Sequence, residues 1–496
     1  MKTVKYIATP LLAILLGGCL SDSDSTAGIE GTGSPATVVS GSVTAYGSIY
    51  VNGLHVEIDT AEVSVNGEPG AVEDIQLGMV VEVELAELDG DQALADEVRY
   101  TRLLQGSINT VSEASDVRKV LTVLGQTVVV YDDIQFDGVA FEALSDGVGI
   151  DVSGHLGDSG HLIASRVSAV ETVTPDVVGT VKSLDAQAQR FRINDLWVSF
   201  AGSEVIGGDL AEGLRVRVTG GALAQGELAA ETVAILPRSA PEDGSTLFQE
   251  GVIGRFASLS DFEVAGVRVN ASEADRKGGT EALASGVRVA VEGRLVEGVL
   301  MAEQLRVLRH GVNRIRTEVG AVDEQAGVLT LMGTSYHVSE LTAFEDVADG
   351  LGNRNGLNLS QLRAGDAVEV FAFYRGDKLV VTRVKRLDPS EQTVEIRGPV
   401  TAIHPETQSI RVTGVTVWLE GAQGAELLAD LSRGDQVQVE GELTGQQQLE
   451  ASSLRLSELP GDVKGGCPDF VPQCGGKPDI GVGSGGPEAR GPTLRF

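Results

Sequence analysis

A nine-residue phrase recurs six times in this chain of 496 residues and decides most of what it can become. IQLGMVVEV, LSDGVGIDV, LAEGLRVRV, LASGVRVAV, LRAGDAVEV and LSRGDQVQV align on Gly78, Gly147, Gly213, Gly286, Gly365 and Gly434, which lie 66 to 79 residues apart. After each glycine come two apolar residues at alternate positions, such as Val81 and Val83 or Val437 and Val439, the mark of a half-buried strand. The glycine suits a turn at positive φ. The Ile or Leu three residues before it (Ile75, Leu144, Leu210, Leu283, Leu362, Leu431) is placed to close a core over that turn.

Downstream, most units reach a second glycine (Gly154, Gly220, Gly293, Gly441), read as part of a hairpin connection, and then a strand with its own phrase, as in Ala95 and Val98 or Ala451 and Leu454. Upstream, each unit opens on a short strand such as Gly41-Ser42-Val43 and then a strand with a turn at its middle, as in Ile49 to Val56. About five short strands in ~60 residues bury little if laid flat, so closure into a small barrel is the expected arrangement. The fold class predicted is all-β: six tandem five-stranded, OB-like β-barrel modules in a row of separate beads, with a flexible tether before them and a tail after. The repeats are placed at 40–103, 104–172, 176–237, 248–309, 314–388 and 393–459. Pro237 to Ser245 and Asp388 to Gln392 are the clearest joints. The fifth repeat carries an insertion at 339–360, in which Phe344 to Leu351 is expected as a short helix or lid.

The opening phrase GSVTAYGSIYVNGLHVEI, the Leu-x-x-Gly-x-x-Val-x-Val core and the closing Ala-x-x-Val strand resemble the bacterial domain-of-unknown-function family numbered 5666. The resemblance covers roughly Ser40 to Leu459. It implies tandem domains on a secreted protein or lipoprotein and brings no established activity.

Residues 1–18 read as a signal peptide, with Lys2 and Lys5 before an apolar run from Tyr6 to Leu16 that is too short to span a bilayer. The run ends in Leu16-Gly17-Gly18-Cys19, which resembles the bacterial lipobox, so Cys19 is expected to be lipidated and to anchor the chain in a membrane. Leu20 stands where an inner-membrane retention signal would place Asp, and the resemblance therefore implies an outer-membrane lipoprotein, periplasmic or surface-exposed. Residues 19–39 form the polar tether. At the other end, residues 460–496 are a Gly- and Pro-rich tail in which Cys467 and Cys474 are expected to pair as a disulfide.

Charge excludes one class of partner. With 71 acidic against 38 basic residues and a net charge of −33, the chain repels nucleic acid over most of its surface. Catalysis finds no constellation. Gly157-Asp158-Ser159-Gly160 matches the nucleophile loop of trypsin-like proteases in four residues only, with no matching His and Asp contexts, and reads as a connection between strands. The six histidines show no metal-ligand spacing. His155 and His161 flank one turn and are expected in solvent rather than on a metal. No calcium loop and no nucleotide loop is present, in particular at Gly350 to Gly356, and no cofactor is expected. Asp346, Asp349 and Arg354 are the only candidates the insertion offers to an enzyme. Trp197 and Trp418 are the candidate ligand-binding residues for a glycan, with partly buried barrel residues as the plainer account. The expected function is that of a lipid-anchored cell-envelope protein acting as a non-enzymatic scaffold or interaction protein. The alternative is an envelope glycan- or peptide-binding protein whose weak sites add along the array.

Overall fold

In a computed structural model of the chain, the described residues are 36–456, except 47, 158–159, 237–240, 278–282, 349–356, 376, 391–393, 420–426 and 446, together with 494–495. The signal peptide, Cys19, the tether up to residue 35 and both tail cysteines lie outside the described residues, while 37–39, expected in the tether, instead open the first strand of repeat 1.

Repeat 1 shows the common plan. Its strands Thr37–Tyr46, Ile49–Val51 and Leu54–Glu57 form an antiparallel meander, and a second hairpin follows in Val80–Asp89 and Gln92–Tyr100. The third strand then pairs in parallel with the fifth (Val56 opposite Ala93), and the fourth pairs back onto the first (Val39 opposite Val83). The circuit first–second–third–fifth–fourth–first is closed and gives the OB order of strands, leaving the start of the first strand, Thr37–Ser40, with a side outside the circuit. Repeats 2, 4, 5 and 6 close by the same circuit. In repeat 3 the first strand is interrupted at Val181 (Asp176–Thr180, Lys182–Asp185) and the fifth between Ala229 and Thr232, so its barrel is divided between two sheets.

The recurring phrase does in the fold what its spacing requires. All six glycines have positive φ, between 78° and 94°. Each N–H donates back to the first strand of its own barrel, as Gly78 does to the Val43 carbonyl at 2.8 Å and Gly434 to Val400 at 2.9 Å. Val43 and Val400 donate in return to the residue just after the glycine, so the turn is clipped to the strand it crosses. The alternating valines and isoleucines after the glycine are all within 2% of full burial and make up much of each core, joined in repeats 3, 4 and 5 by the fully buried Phe191, Phe262 and Tyr336.

Of the second set of glycines, Gly220 sits in the connection after its strand with φ 72°, and the other three are a correction. Gly154, Gly293 and Gly441 are not hairpin residues but sit at bulges inside the fourth strand, where the register shifts by one. A Cβ there would stand 2.1–2.2 Å from the carbonyl oxygen of Ile163, Met301 or Glu450 across the hairpin, so close backbone approach, not positive φ, selects glycine. Phe344 is likewise not in a helix. Ala343–Asp346 is a strand that runs parallel to Lys378–Arg386, while 349–356 lie outside the described residues.

The row of separate beads is also corrected. The described residues form one compact unit, and the barrels join in three pairs by strand pairing: 1 with 4 in parallel (Val38 opposite Leu247), 2 with 3 and 5 with 6 antiparallel. Repeat 1 therefore pairs with a barrel far along the chain. Sequence spacing carries no record of this, because the residues that join barrels, apolar ones such as Val38 and Phe248 as well as polar ones, sit on strands whose alternation is the same whether or not a second barrel packs on them.

Candidate functional site

Repeats 1, 2, 4 and 5 and the segment between 4 and 5 converge on a cleft of about 400 Å³. Its walls are held by three buried polar clusters, each crossing from barrel to barrel.

The first is centred on Glu250, whose side chain is 3% exposed in the first strand of repeat 4. It accepts from the Ser42 backbone N–H of repeat 1 at 2.8 Å, from Arg288 Nε at 2.8 Å and from the Arg288 terminal nitrogen, and it lies 3.0 Å from His155 Nε2 of repeat 2. Burial alone would raise the Glu250 carboxyl. Arg288 and His155 overcome this and hold it well below the usual carboxylate range. Ser42, His155 and Glu250 have the composition of a catalytic triad but not its connectivity. His155 turns the same Nε2 to Ser42 Oγ (3.3 Å) and to Glu250, so it has no second nitrogen in the relay, and Ser42 Oγ donates to the acid directly.

The second cluster is built on the neighbours Asp132 and Asp133 of repeat 2. Asp133 accepts from His310 Nδ1 (2.6 Å), the Gly311 N–H (2.6 Å) and Thr382 Oγ1 (3.2 Å), and the His310 ring stacks on Tyr131 at 3.8 Å. Burial would raise the Asp133 carboxyl, but His310 and these donors keep it low. Asp132 pairs with Arg397 of repeat 6, both side chains almost fully buried. Burial pushes its carboxyl up to about 7 against the pull of Arg397, with Asp133 adding to the rise.

In the third cluster, Arg383 of repeat 5 binds Glu345, the Ile134 carbonyl and Gln135 Oε1, the last at 2.9 Å, and Gln135 donates to Glu345 at 3.0 Å. Repeat 2 is thus the hub. It also holds repeat 1 through Ser165 Oγ to the Gly78 carbonyl (2.6 Å) and Arg166 to the Leu77 carbonyl (3.0 Å).

Among the residues named from sequence, Trp197 and Trp418 are not brought together. Each stands half-buried on the outer face of the third strand of its barrel, in repeats 3 and 6. Arg190 and Arg192 cover the Trp197 ring at 4.7 and 5.4 Å, so much of that ring is already engaged. His155 and His161 do not meet: His161 is exposed, and His155, contrary to the solvent position expected for it, is buried in the Glu250 cluster. Asp346 forms an ion pair with Arg386, while Asp349 and Arg354 lie outside the described residues. No group of three metal-ligating side chains occurs among the described residues. The sequence alone does not single out Glu250, Asp132, Asp133 or Arg397. The available signal was a charged residue within an apolar strand or directly after one, as in EIRGPV and VVVYDDIQF.

No curated protein matches the chain. A solved structure of drosophila Unr CSD456 is similar to 42% of this chain and 97% of its own, at 15% identity and with a TM-score of 0.12, which is too low to bear on architecture or function. The DUF5666 model, a domain of unknown function, matches residues 38–99, 105–168, 250–306, 318–385 and 397–455, which are repeats 1, 2, 4, 5 and 6. Repeat 3, with its two interrupted strands, lies outside those matches. More than half of the chain is covered by tandem copies of one domain with one strand circuit, and the chain belongs to the DUF5666 family.

Proposed function

We propose that this protein is a lipid-anchored component of the bacterial cell envelope, held by an acylated Cys19 in the outer membrane, and that it works as a non-enzymatic scaffold or interaction protein. The observation that supports a scaffold is the joining of the barrels by buried inter-repeat ion pairs, Glu250 with His155 and Asp132 with Arg397 foremost. Independent beads on a string need no such contacts, which carry a desolvation cost and bring geometric definition. A body of defined shape carrying −33 charges presents fixed surfaces to a protein or glycan of the envelope and turns nucleic acid away. Among the described residues no helix is long and apolar enough to cross a membrane, so attachment in this reading rests on the acyl chains.

Two experiments test the reading. Cys19→Ala is expected to abolish globomycin-sensitive processing and to move the protein from the membrane to the soluble fraction; unchanged fractionation overturns the anchor. On a glycan and peptidoglycan array, the scaffold reading expects no saturable signal that depends on the tryptophans. Binding lost in the Trp197→Ala, Trp418→Ala double variant would replace it with the glycan-binding alternative.

A further inference from the structure

The end of the fifth strand has the same neighbour position in every repeat, and repeat 6 fills it differently. In repeats 1 to 5 a short strand from the segment between the third and fourth strands of the same barrel lies parallel to that end, as Glu62–Val65 does beside Gln92–Tyr100. Opposite the last apolar residue of the Ala-x-x-Val phrase or its counterpart, these strands place Val63, Phe136, Val205, Arg276 and Phe344, four of them apolar. The fifth-strand residues they stand opposite, from Val98 in repeat 1 to Val384 in repeat 5, are at most 2% exposed. In repeat 6 the described residues of the corresponding segment, 419 and 427–435, hold a helical turn at 427–430 and no strand. The position beside Leu454 is taken instead by Leu494–Arg495, which pair antiparallel, Leu494 opposite Leu454 and Arg495 opposite Ser453.

A sheet edge offers its N–H and C=O groups to a strand of either direction, and strand addition draws its affinity from that backbone. The apolar surface is in place as well. Leu456, two residues beyond Leu454, is 45% exposed, whereas its counterpart Tyr100 in repeat 1, which stands opposite Val65 of the short strand, is 3% exposed. We infer that the end of the fifth strand of repeat 6 is a binding site for an extended peptide with an apolar residue opposite Leu454, and that residues 494–495 of this chain are its resident occupant. A pairing of two residues is shorter than an ordinary strand and holds free molecules together weakly. Connection through 457–493 makes the docking intramolecular, so effective concentration rather than affinity keeps the site filled, and a peptide supplied at a comparable concentration displaces the occupant. The inference goes beyond the scaffold reading and does not depend on it: the anchor and the array can fail while the strand still docks, and the reverse.

The test is photo-cross-linking of the full chain in a non-ionic detergent, with Phe496→p-benzoylphenylalanine as the probe next to the pair. Irradiation is expected to join residue 496 to 448–456 of the same chain, giving a product of monomer mobility on a denaturing gel whose site is read by peptide mass spectrometry. Leu494→Pro together with Arg495→Pro removes both backbone N–H groups from the pairing and is expected to lower that yield about tenfold or more. Leu494 and Arg495 pair with the fifth strand of repeat 6 alone among the described residues, so the barrels keep their fold in this variant. A free peptide of residues 489–496 is expected to halve the yield at about 1–10 mM, the scale of effective concentration for a tethered segment, and the same peptide carrying both prolines to leave it unchanged. A cross-link elsewhere in the chain, none at all, or a yield unmoved by the prolines would overturn the site. A product of dimer size would overturn the resident occupant in favour of a second copy, and a yield unmoved by about 10 mM peptide would overturn its displacement.

Discussion

Glu250→Gln is the perturbation that most sharply separates a welded body from a row of beads. The substitution keeps the shape of the side chain and removes one charge from a site where Arg288 and His155 both face it. Removing one partner of a buried pair leaves the other uncompensated and costs about 3–5 kcal/mol. Glu250 lies in repeat 4, while Ser42 belongs to repeat 1 and His155 to repeat 2, so the loss is shared by three barrels. Hydrogen exchange read by mass spectrometry resolves this. In the variant, amides in 37–46 and 149–156, as well as 246–258, are expected to exchange faster by about two to more than three orders of magnitude, the factor that 3–5 kcal/mol represents when opening is limited by stability. The pH dependence has a definite sign. The folded carboxyl lies below its unfolded value, so its stabilisation is fully present above the ordinary carboxylate pKa and is lost as pH falls through the folded one, in strong acid. Faster exchange confined to peptides of 246–307 would refute the coupling, for then repeat 4 would answer alone.

Other substitutions probe single features. Asp132 has the opposite linkage: its folded carboxyl titrates near 7, above its unfolded value, so its contribution is complete below about pH 4 and falls by up to about 4 kcal/mol as pH rises to 7. Asp132→Asn is expected to remove that slope from urea midpoints measured between pH 4 and 7; an unchanged slope refutes it. Gly293→Ala is expected to cost about 1–3 kcal/mol in thermal unfolding, because its Cβ would meet the Met301 carbonyl at 2.1 Å, and a neutral outcome would contradict the bulge geometry. Trp197→Ala should lower stability by about 1–2 kcal/mol through loss of its two guanidinium contacts, and an unmoved melting midpoint would show that those contacts contribute nothing.

The barrels were legible because their signal is local. Gly286 and the valines at 289 and 291 stand within one turn and one strand, so a period of two and a required positive φ suffice to read them. The bulge at Gly293 was misread because a glycine chosen for backbone approach and one chosen for a turn look alike until the opposing strand is in view. The joining of the barrels was not legible at all. Glu250 and Arg397 are polar residues in strands and Asp132 stands in the turn just after one, and such residues ordinarily face water; only their partners in other repeats reveal that they are buried. The cleft follows from that joining, since none of its arginines is meaningful until four chain segments meet.

The pairing of repeat 1 with repeat 4 also sets a clock. Ser42 and Glu250 are 208 residues apart, and at ~5–20 residues per second that separation takes about 10–40 s to synthesise. During that interval the first barrel lacks Phe248, which repeat 4 adds to its core, and its joining strand, Thr37–Ser40, is still without the partner Thr246–Gln249. The nascent protein thus carries an exposed pairing edge for longer than any barrel needs to close, and a second nascent copy at the same stage offers the same edge. Expression rate, rather than the stability of any one barrel, becomes the variable that separates folded protein from mispaired aggregate.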